Sequence, residues 1–256
     1  DLAIFEEGSV FLPAASVGAN ADLPVGNQRP SEAQLAILNG TVPAQPHHVA
    51  GLFTGNRISQ QVATRSVEAG YADAIHAARV LAKAVGVVIE LRQATPAGFH
   101  PGRTAEIIAN LNGQQIVIGV AGELDPTLTA SQDLPRRVGA FEINLELLFS
   151  TAPAVIQAGL VLTMPAATQD LSLVVESHVP AASLLSAIRE GAAELLERVV
   201  LVDDYRGSNV AEGYKSLTFA LRFRAADRTL TQVEASEARD KAVELAHQRF
   251  GATIRA

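Results

Sequence analysis

The sequence has 256 residues, enough for one large domain or for two domains of ordinary size. Its 48% hydrophobic and 18% charged residues permit a sizeable core and exclude an intrinsically disordered chain. Cysteine is absent and the net charge is −7, which excludes disulfides, thiolate metal sites and cysteine nucleophiles and argues against a general nucleic-acid-coating protein.

No apolar run approaches the ~18 residues that a membrane-spanning helix requires, so we expect no contact with a membrane. The longest run, residues 155–164, is interrupted by Gln157, Gly159 and Thr163. Residues 1–7 include neither an initiator methionine nor the basic start of a targeting signal. We therefore expect the sequence to be part of a longer chain, and the lack of cysteine fits a reducing compartment.

The first half of the sequence predicts mixed α and β structure with hairpin-type connections. The predicted elements are helices at 31–38, 71–85 and 128–131, and strands at 49–53, 87–92, 105–110, 115–121 and 138–147. Ser31 is a candidate helix cap, Gly86 a helix stop, and Asn112-Gly113 a strong hairpin signal. Residues 97–103 read as a turn. After Phe149 the regular spacing of apolar residues that predicts helices and strands becomes weak. We therefore place a first domain at 1–153, a linker at 154–163 and a second domain at 164–256.

The second domain reads as β-α-β-β-α-β, the split βαβ order of ferredoxin-like domains. Its predicted elements are strands at 170–175, 199–202, 215–224 and 252–255, and helices beginning at Pro180 and after Thr231. Both helices would cover one face of the sheet. Strand alternation then leaves Ser216, Thr218, Arg222 and Arg224 on the uncovered face. The predicted fold class is thus α+β.

The sequence offers no convincing catalytic or metal site. The adjacent His47 and His48 would point to opposite sides of a strand, which is not metal-ligand geometry. Neither a GxxxxGK[ST] loop nor a GxGxxG turn is present. Asp203 and Asp204 would also diverge along a strand. His100 and Arg103 could handle a proton and an anion, but no nucleophile or acid accompanies them in the sequence, so we expect Arg103 to bond a backbone or acidic group.

The stretch DDYRGSNVAEGYKSL, residues 203–217, has an unusual residue composition for a hairpin loop. Tyr205 is expected at the end of a buried strand, where its ring could stack on an unpaired base. Residues 206–228 hold five cations and two anions although the whole chain is acidic. The cations are Arg206, Lys215, Arg222, Arg224 and Arg228. A local RNA contact is therefore allowed by the charge distribution.

Several short segments in the right order resemble the β subunit of bacterial phenylalanyl-tRNA synthetases. In the second half they are PAATQDLSLVV (165–175), DYRG (204–207), EGYKSL (212–217) and DRTLT (227–231). In the first half they are LAIFEEGSVF (2–11), FHPGRTA (99–105) and GELDP (122–126). No correspondence is found at 56–70, and 154–164 matches weakly.

The resemblance implies a class II synthetase-like mixed antiparallel domain without catalytic function, followed by a ferredoxin-like anticodon-binding domain. In this family, ATP and Mg are used by the (αβ)₂ holoenzyme, whose α subunit holds the active site. The resemblance therefore implies a cytoplasmic C-terminal fragment that holds no cofactor or metal, contacts the α subunit and tRNA(Phe), and does not bind DNA. The D-x-Y-x-G motif implies that Tyr205 stacks on an anticodon base, with Arg206 and Lys215 as neighbouring contacts; strand alternation adds Arg222 and Arg224.

Two other functions remain open at this point. A ferredoxin-like sheet can serve as a regulatory module for small molecules, which predicts a polar pocket near Ser177–Pro180. Alternatively, an enzyme could be built around His100 and Arg103. Titration with tRNA(Phe) and with a transcript altered at the anticodon separates these functions from RNA binding.

Overall fold

The computed structural model describes residues 1–12, 26–158 and 163–255. The chain forms two compact units, Asp1–Gln157 and Ala158–Ala256, which we call unit 1 and unit 2. The linker expected at 154–163 spans this division, and its residues 159–162 lie outside the described residues.

Unit 1 is built on a six-stranded antiparallel sheet with the strand order β1-β2-β8-β7-β6-β5. Its elements are β1 (Leu2–Ser9), α1 (Glu32–Thr41), β2 (His47–Thr54), β3 (Asn56–Ile58), β4 (Val67–Glu68), α2 (Tyr71–Ala84), β5 (Glu90–Gln93), β6 (Phe99–Leu111), β7 (Gln114–Leu124), α3 (Pro126–Ser131), β8 (Val138–Asn144) and α4 (Leu145–Ser150). The short strands β3 and β4 form a separate hairpin.

Helix α2 packs closely on this sheet through small side chains. Ala74, Ala78 and Ala82 are buried against apolar residues of β6, β7 and β8. At the start of the helix, the backbones approach so closely that a Cβ on Gly139 would lie 2.3 Å from the carbonyl oxygen of Gly70. Glycine at 139 therefore fixes where α2 begins relative to β8.

The hairpin expected at Asn112-Gly113 is confirmed, since both residues have positive φ, 52° and 87°, as a two-residue type I′ turn requires. Two other predictions for unit 1 were correct only in part, since residues 97–98 form the expected turn and 138–144 the expected strand. Residues 99–103 are the start of β6, which tolerates Pro101-Gly102 because its pairing with β7 is interrupted between Phe99 and Thr104. The strand predicted at 138–147 ends at Asn144, whose side chain accepts a hydrogen bond from Leu147 N–H and caps α4.

Unit 2 has the predicted β-α-β-β-α-β order. Its elements are β9 (Ala167–Glu176), α5 (Ala181–Ala192), a single 3₁₀ turn (Ala193–Leu195), β10 (Leu196–Tyr205), β11 (Tyr214–Phe223), α6 (Gln232–Phe250) and β12 (Thr253–Ile254). The antiparallel sheet has the order β10-β11-β9-β12. Pro180 is the residue before α5 rather than its first residue, and the capping box at Thr231 and Glu234 opens α6 as expected.

The core of unit 2 lies between the two helices and one face of the sheet. Its largest buried side chains alternate along β9 and β11 and meet those of α5. They are Leu171, Leu173, Val175, Leu217, Phe219, Leu221, Phe223, Leu184 and Ile188. The helices touch at Gly191, where a Cβ would lie 2.6 Å from the Cα of Ala242. Both described helices of this unit lie on that one face, so the opposite face of the sheet is not covered by either of them.

Candidate nucleic-acid interface

Strand pairing identifies the residues on the uncovered face of unit 2. Tyr205 lies opposite Ser216, Ser216 opposite Val174, and Val174 opposite Thr253. Residues paired across antiparallel strands share a face, and these alternate with the core residues Leu217 and Leu173. We call this surface the open face. Its members discussed below are Tyr205, Ser216, Thr218, Arg222, Ser172, Val174 and Arg255.

Tyr205 is half-buried at the end of β10, and its ring has two close neighbours. The Cζ atom of Arg255 lies 4.8 Å from the ring centroid, within the range of a cation–π contact. A Cβ added to Gly207 would lie 2.2 Å from the Tyr205 hydroxyl oxygen. The glycine of the D-x-Y-x-G motif therefore leaves room for the tyrosine ring of the same motif.

The hydroxyl of Ser216 is buried beside this ring. Ser216 is 0% exposed, and its Oγ has no hydrogen-bond partner among the described residues. The neighbouring hydroxyls on the open face are paired, since the oxygens of Ser172 and Thr218 lie 2.9 Å apart. Ser216 thus retains an unused donor and acceptor next to the aromatic ring.

Arg206 forms a two-pronged ion pair with Asp204. Its Nε and Nη2 donate to the two carboxylate oxygens over 3.0 and 3.1 Å. The hydrogen bond from Arg206 lowers the pKa of the Asp204 carboxyl, and Asp204 in turn raises the pKa of the Arg206 guanidinium. The Arg206 side chain is exposed, so a phosphate can compete with Asp204 for it.

Lys215 is the least accessible of the predicted RNA contacts. It is 4% exposed and shares the strand parity of Leu217, on the helix-covered side of the sheet. Burial lowers the pKa of its ammonium group, Arg206 lowers it further, and Asp204 partly offsets this shift. Any influence of Lys215 on RNA therefore acts through its charge.

Arg222 and Arg224 converge on one carboxylate. Their Nε atoms donate to the same Glu197 oxygen over 2.7 and 3.0 Å. Burial disfavours the charged carboxylate of Glu197, but the two arginines outweigh it and lower the pKa. The excess of cations counted at 206–228 is thus partly neutralised by Asp204 and Glu197, acids from the preceding strand.

Sequence reasoning did not identify Arg255 as a candidate. Its backbone N–H donates to the Ser172 carbonyl over 2.9 Å, immediately after β12. The β-α-β-β-α-β order places the last strand beside the first, and alternation from Thr253 puts residue 255 on the open face. This topological signal was present in the sequence, but the contact with Tyr205 crosses two intervening strands.

In unit 1, His100 and Arg103 line a cavity of about 650 Å³ together with Arg136 and Arg137. Glu123, 4% exposed, accepts hydrogen bonds from Arg103 Nη1 at 2.7 Å and Arg137 Nε at 2.9 Å. Burial alone would raise the pKa of Glu123, but the two arginines lower it overall. The expected bond from Arg103 to an acidic neighbour is confirmed.

Local contacts account for the two histidines His47 and His48 and for the turn Ser177–Pro180. His48 Nδ1 lies 2.7 Å from Glu142, and His47 lies on the other side of its strand near Glu7. At the turn Ser177–Pro180, two backbone N–H groups are already bonded, Ser177 to Gly213 and Val179 to Glu176. Across the described ranges, no three His, Asp or Glu side chains group as metal ligands would.

Comparisons with known protein families cover nearly the whole chain. The family described as "Phenylalanyl tRNA synthetase beta chain CLM domain" matches residues 1–145, and "Ferredoxin-fold anticodon binding domain" matches residues 163–255. The chain belongs to the phenylalanyl-tRNA synthetase β-chain family. The predicted family and the α+β fold class with its ferredoxin-like domain are confirmed.

Similar β subunits come from several bacteria. The phenylalanine–tRNA ligase β subunit of Leifsonia xyli is 51% identical over 255 residues, and that of Streptomyces avermitilis is 45% identical. The one from Thermobifida fusca is 40% identical. Each alignment covers 100% of this chain but only 30% or 31% of the relative, so the chain spans under a third of the length of these β subunits.

This β-chain family member also presents a large apolar surface on unit 1. A cavity of about 590 Å³ is lined by β1, α2 and α4, including Ile4, Phe5, Val80 and Phe149. Phe5 is 78% exposed on the edge strand β1. Contiguous apolar surfaces of this kind mark interaction sites.

None of the described helices is long and apolar enough to cross a membrane.

Proposed function

We propose that unit 2 binds the anticodon region of tRNA(Phe) through the open face, as part of a phenylalanine–tRNA ligase β subunit. The observation that carries this proposal is the arrangement at Tyr205, where a half-buried aromatic ring at the end of β10 lies opposite the buried, unused hydroxyl of Ser216. Unpaired RNA bases stack on such rings, and a hydroxyl beside the ring can form a hydrogen bond with the edge of the stacked base.

The five predicted residues take different parts in this proposal. Tyr205 stacks on a base, while Arg206 exchanges the Asp204 carboxylate for a phosphate. Arg222 and Arg224 make weaker contacts because Glu197 must first be displaced. Lys215 adds positive charge from below the surface.

The apolar surface of unit 1 supports a second part of the proposal, that this unit packs against the α subunit of an (αβ)₂ enzyme. An edge strand with an exposed phenylalanine next to an apolar cavity is suited to burial by another protein chain. The complete enzyme would then use ATP and Mg in the cytoplasm, with catalytic residues supplied by other parts of the assembly.

Titration of the chain with tRNA(Phe) tests RNA binding. Tyr205→Ala should weaken binding by about 1–3 kcal/mol, the value of one lost stack. Tyr71→Ala is the control, because Tyr71 is an exposed tyrosine on α2 of unit 1 and lies outside the open face. Both variants are measured with the natural transcript and with one altered at the anticodon, at a fixed salt concentration.

The unsubstituted chain should prefer the natural anticodon, and Tyr205→Ala should remove most of that preference. Equal affinity of the Tyr205→Ala and Tyr71→Ala variants for the natural transcript would refute the role of the open face.

Assembly is tested by size-exclusion chromatography with purified α subunit. Phe5→Asp should abolish co-elution because it places a charge within the apolar surface. Val88→Asp is the control, since Val88 is 86% exposed but lies outside that cavity. Co-elution of both variants with the α subunit would contradict the assignment of this surface.

A further inference from the structure

The cavity of about 650 Å³ in unit 1, lined by Arg103, Arg136 and Arg137, forms where five segments of the chain meet. We call it the arginine cavity. Its walls come from the end of β2 with β3, from β4, from the start of β6, from the end of β7 with α3, and from the segment before β8. Its size lies within the range of about 300–1,000 Å³ that is typical of small-molecule sites. It shares no lining residue with the apolar surface that we assign to the α subunit.

The arginine cavity has an excess of positive charge. Three arginines line it against two glutamates, Glu68 and Glu123, which leaves one uncompensated charge among the lining residues. Both carboxylate oxygens of Glu123 are already bonded, Oε2 to Arg103 and Oε1 to Arg137. Glu68 accepts a further hydrogen bond from Arg137. The uncompensated charge is therefore that of Arg136.

Arg136 is available for an anion. It is exposed at the cavity wall, and the ion pairs of the described residues include its neighbours Arg103 and Arg137 but not Arg136 itself. A guanidinium in this position can bind an anion through charge-assisted hydrogen bonds without first losing a carboxylate partner.

The two bonded arginines supply fixed donors beside Arg136. A guanidinium has five N–H groups. Arg103 donates one of them to Glu123, and Arg137 donates one to Glu123 and one to Glu68. The other N–H groups are held in place because Glu123 is 4% exposed and anchors both side chains. A ligand that binds to donors already fixed in position does not have to order them.

His100 and three apolar residues complete the lining relevant to a ligand. The His100 Nδ1 accepts a hydrogen bond from the Gly102 N–H over 3.0 Å, so the neutral ring carries its proton on Nε2 and is a donor there. Leu124, Pro126 and Pro135 add apolar surface to the same cavity. Apolar walls with a few polar groups are the usual composition of a site for a small organic molecule.

We propose that the arginine cavity binds the phosphate group of a small molecule. Planar guanidiniums match phosphate oxygens through paired, parallel hydrogen bonds. Arg136 forms the ion pair with the phosphate, while Arg103 and Arg137 donate to it without leaving Glu123. The cavity has room beyond a phosphate group, so we expect a mononucleotide to bind more tightly than free phosphate. The site lies within unit 1 and does not depend on RNA binding by unit 2.

Isothermal titration calorimetry of the chain with inorganic phosphate, adenosine monophosphate (AMP) and adenosine tests this site. Phosphate and AMP should bind saturably, and adenosine, which lacks the phosphate, should not bind. Arg136→Ala should weaken the binding of both anions about tenfold or more, the value of a lost charge-assisted hydrogen bond. Arg136→Lys should recover part of this loss because it keeps the charge but not the planar group.

Arg65→Ala is the matched control. Arg65 is an exposed arginine of unit 1 between β3 and β4, and it lies outside the cavity. Its substitution should leave the affinities for phosphate and AMP unchanged. Denaturant unfolding of Arg136→Ala should match that of the unsubstituted chain, which separates lost binding from lost stability. Equal phosphate affinities of Arg136→Ala and Arg65→Ala would overturn the proposal.

Titration of Tyr205→Ala with AMP distinguishes this site from the open face, where the base of AMP could stack. The variant should bind AMP as the unsubstituted chain does. Loss of AMP binding in Tyr205→Ala but not in Arg136→Ala would place the AMP site in unit 2 and refute the role of the arginine cavity. Adenosine binding as tight as that of AMP, or no saturable binding of either anion, would refute it as well.

The relative affinities of the two anions identify the source of the phosphate group. Tighter binding of AMP than of inorganic phosphate would support a mononucleotide as the ligand. Equal affinities, both reduced in Arg136→Ala, would support free phosphate as the ligand of the same site.

Discussion

The two units of this chain use arginine in opposite ways. In unit 1, Arg103 and Arg137 converge on Glu123, which is almost fully buried. In unit 2, Arg206 pairs with Asp204, while Arg222 and Arg224 share Glu197, and both of these acids lie near the surface. A buried carboxylate commits its arginines to the fold, whereas an exposed one can be exchanged for a phosphate.

This difference shows why a count of charges in the sequence does not locate a binding surface. Residues 206–228 appeared strongly cationic, yet their partners come from β10, earlier in the chain. Arg103, in contrast, belongs to a segment that suggested chemistry, and its partner is a structural acid. Availability of a cation depends on how deeply its counter-charge is buried.

Glu123→Ala should have the largest effect. It leaves two arginines facing a partly buried site without their carboxylate, which should reduce the free energy of unfolding of unit 1 by about 2–3 kcal/mol. Denaturant unfolding measures this change. The exposed ion pair of Arg92 with Glu106 provides the control, and Glu106→Ala should cost about 1 kcal/mol or less.

The same Glu123→Ala variant should leave the tRNA affinity of unit 2 unchanged under conditions in which the chain is folded. A parallel loss of RNA binding would erase the distinction between a structural and a functional arginine cluster.

Gly207→Ala should have the next largest effect, because it disturbs Tyr205 without removing it. The added methyl group would occupy the position of the tyrosine hydroxyl, so the ring must move. We expect tRNA affinity to fall by about 1–2 kcal/mol, part of the value of one stack. Gly8→Ala is the matched control, since a Cβ at Gly8 meets nothing within 4 Å. An affinity equal to that of the control would show that the ring position does not matter.

Much of unit 2 was predictable from sequence because its strands alternate cleanly. Leu217, Phe219 and Leu221 define one face of β11, and the capping box at Thr231 defines the start of α6. The contact of Tyr205 with Arg255 was not predictable, since it depends on side-chain reach across two strands. The pairing of Glu197 with Arg222 was hidden for another reason: a β-bulge interrupts the register between Leu196 and Arg198.

Unit 1 was less predictable because local signals conflict there. The apolar run at 138–147 suggested one strand, but Asn144 caps a helix through Leu147 N–H. Pro101-Gly102 suggested a turn, although an irregular strand tolerates them. No strand was assigned to residues 2–9, which form the edge strand β1 of the sheet.

Glu197→Gln should produce a small gain in RNA affinity. Removing this carboxylate charge weakens its hold on Arg222 and Arg224 and makes their charges more available to phosphate. We expect tRNA affinity to rise slightly at low salt, with the gain disappearing as salt increases. Glu237→Gln makes the same charge change at an exposed position of α6 and should have a smaller effect. Equal gains in the two variants would indicate a general charge effect.

The smallest expected effect is the pH dependence of unit 1 stability. Because the arginines lower the pKa of Glu123 in the folded state, its carboxylate contributes stability above the unfolded-state pKa of about 4.3. This contribution should be lost as the pH falls through the lowered folded-state pKa. The Glu123→Ala variant should therefore show a flatter decline in unfolding free energy below pH of about 4.3 than the unsubstituted chain. Parallel declines in the two proteins would mean that Glu123 titrates alike in the folded and unfolded states. Its ion pairs with Arg103 and Arg137 would then contribute no more to stability than the ion pairs of unit 2.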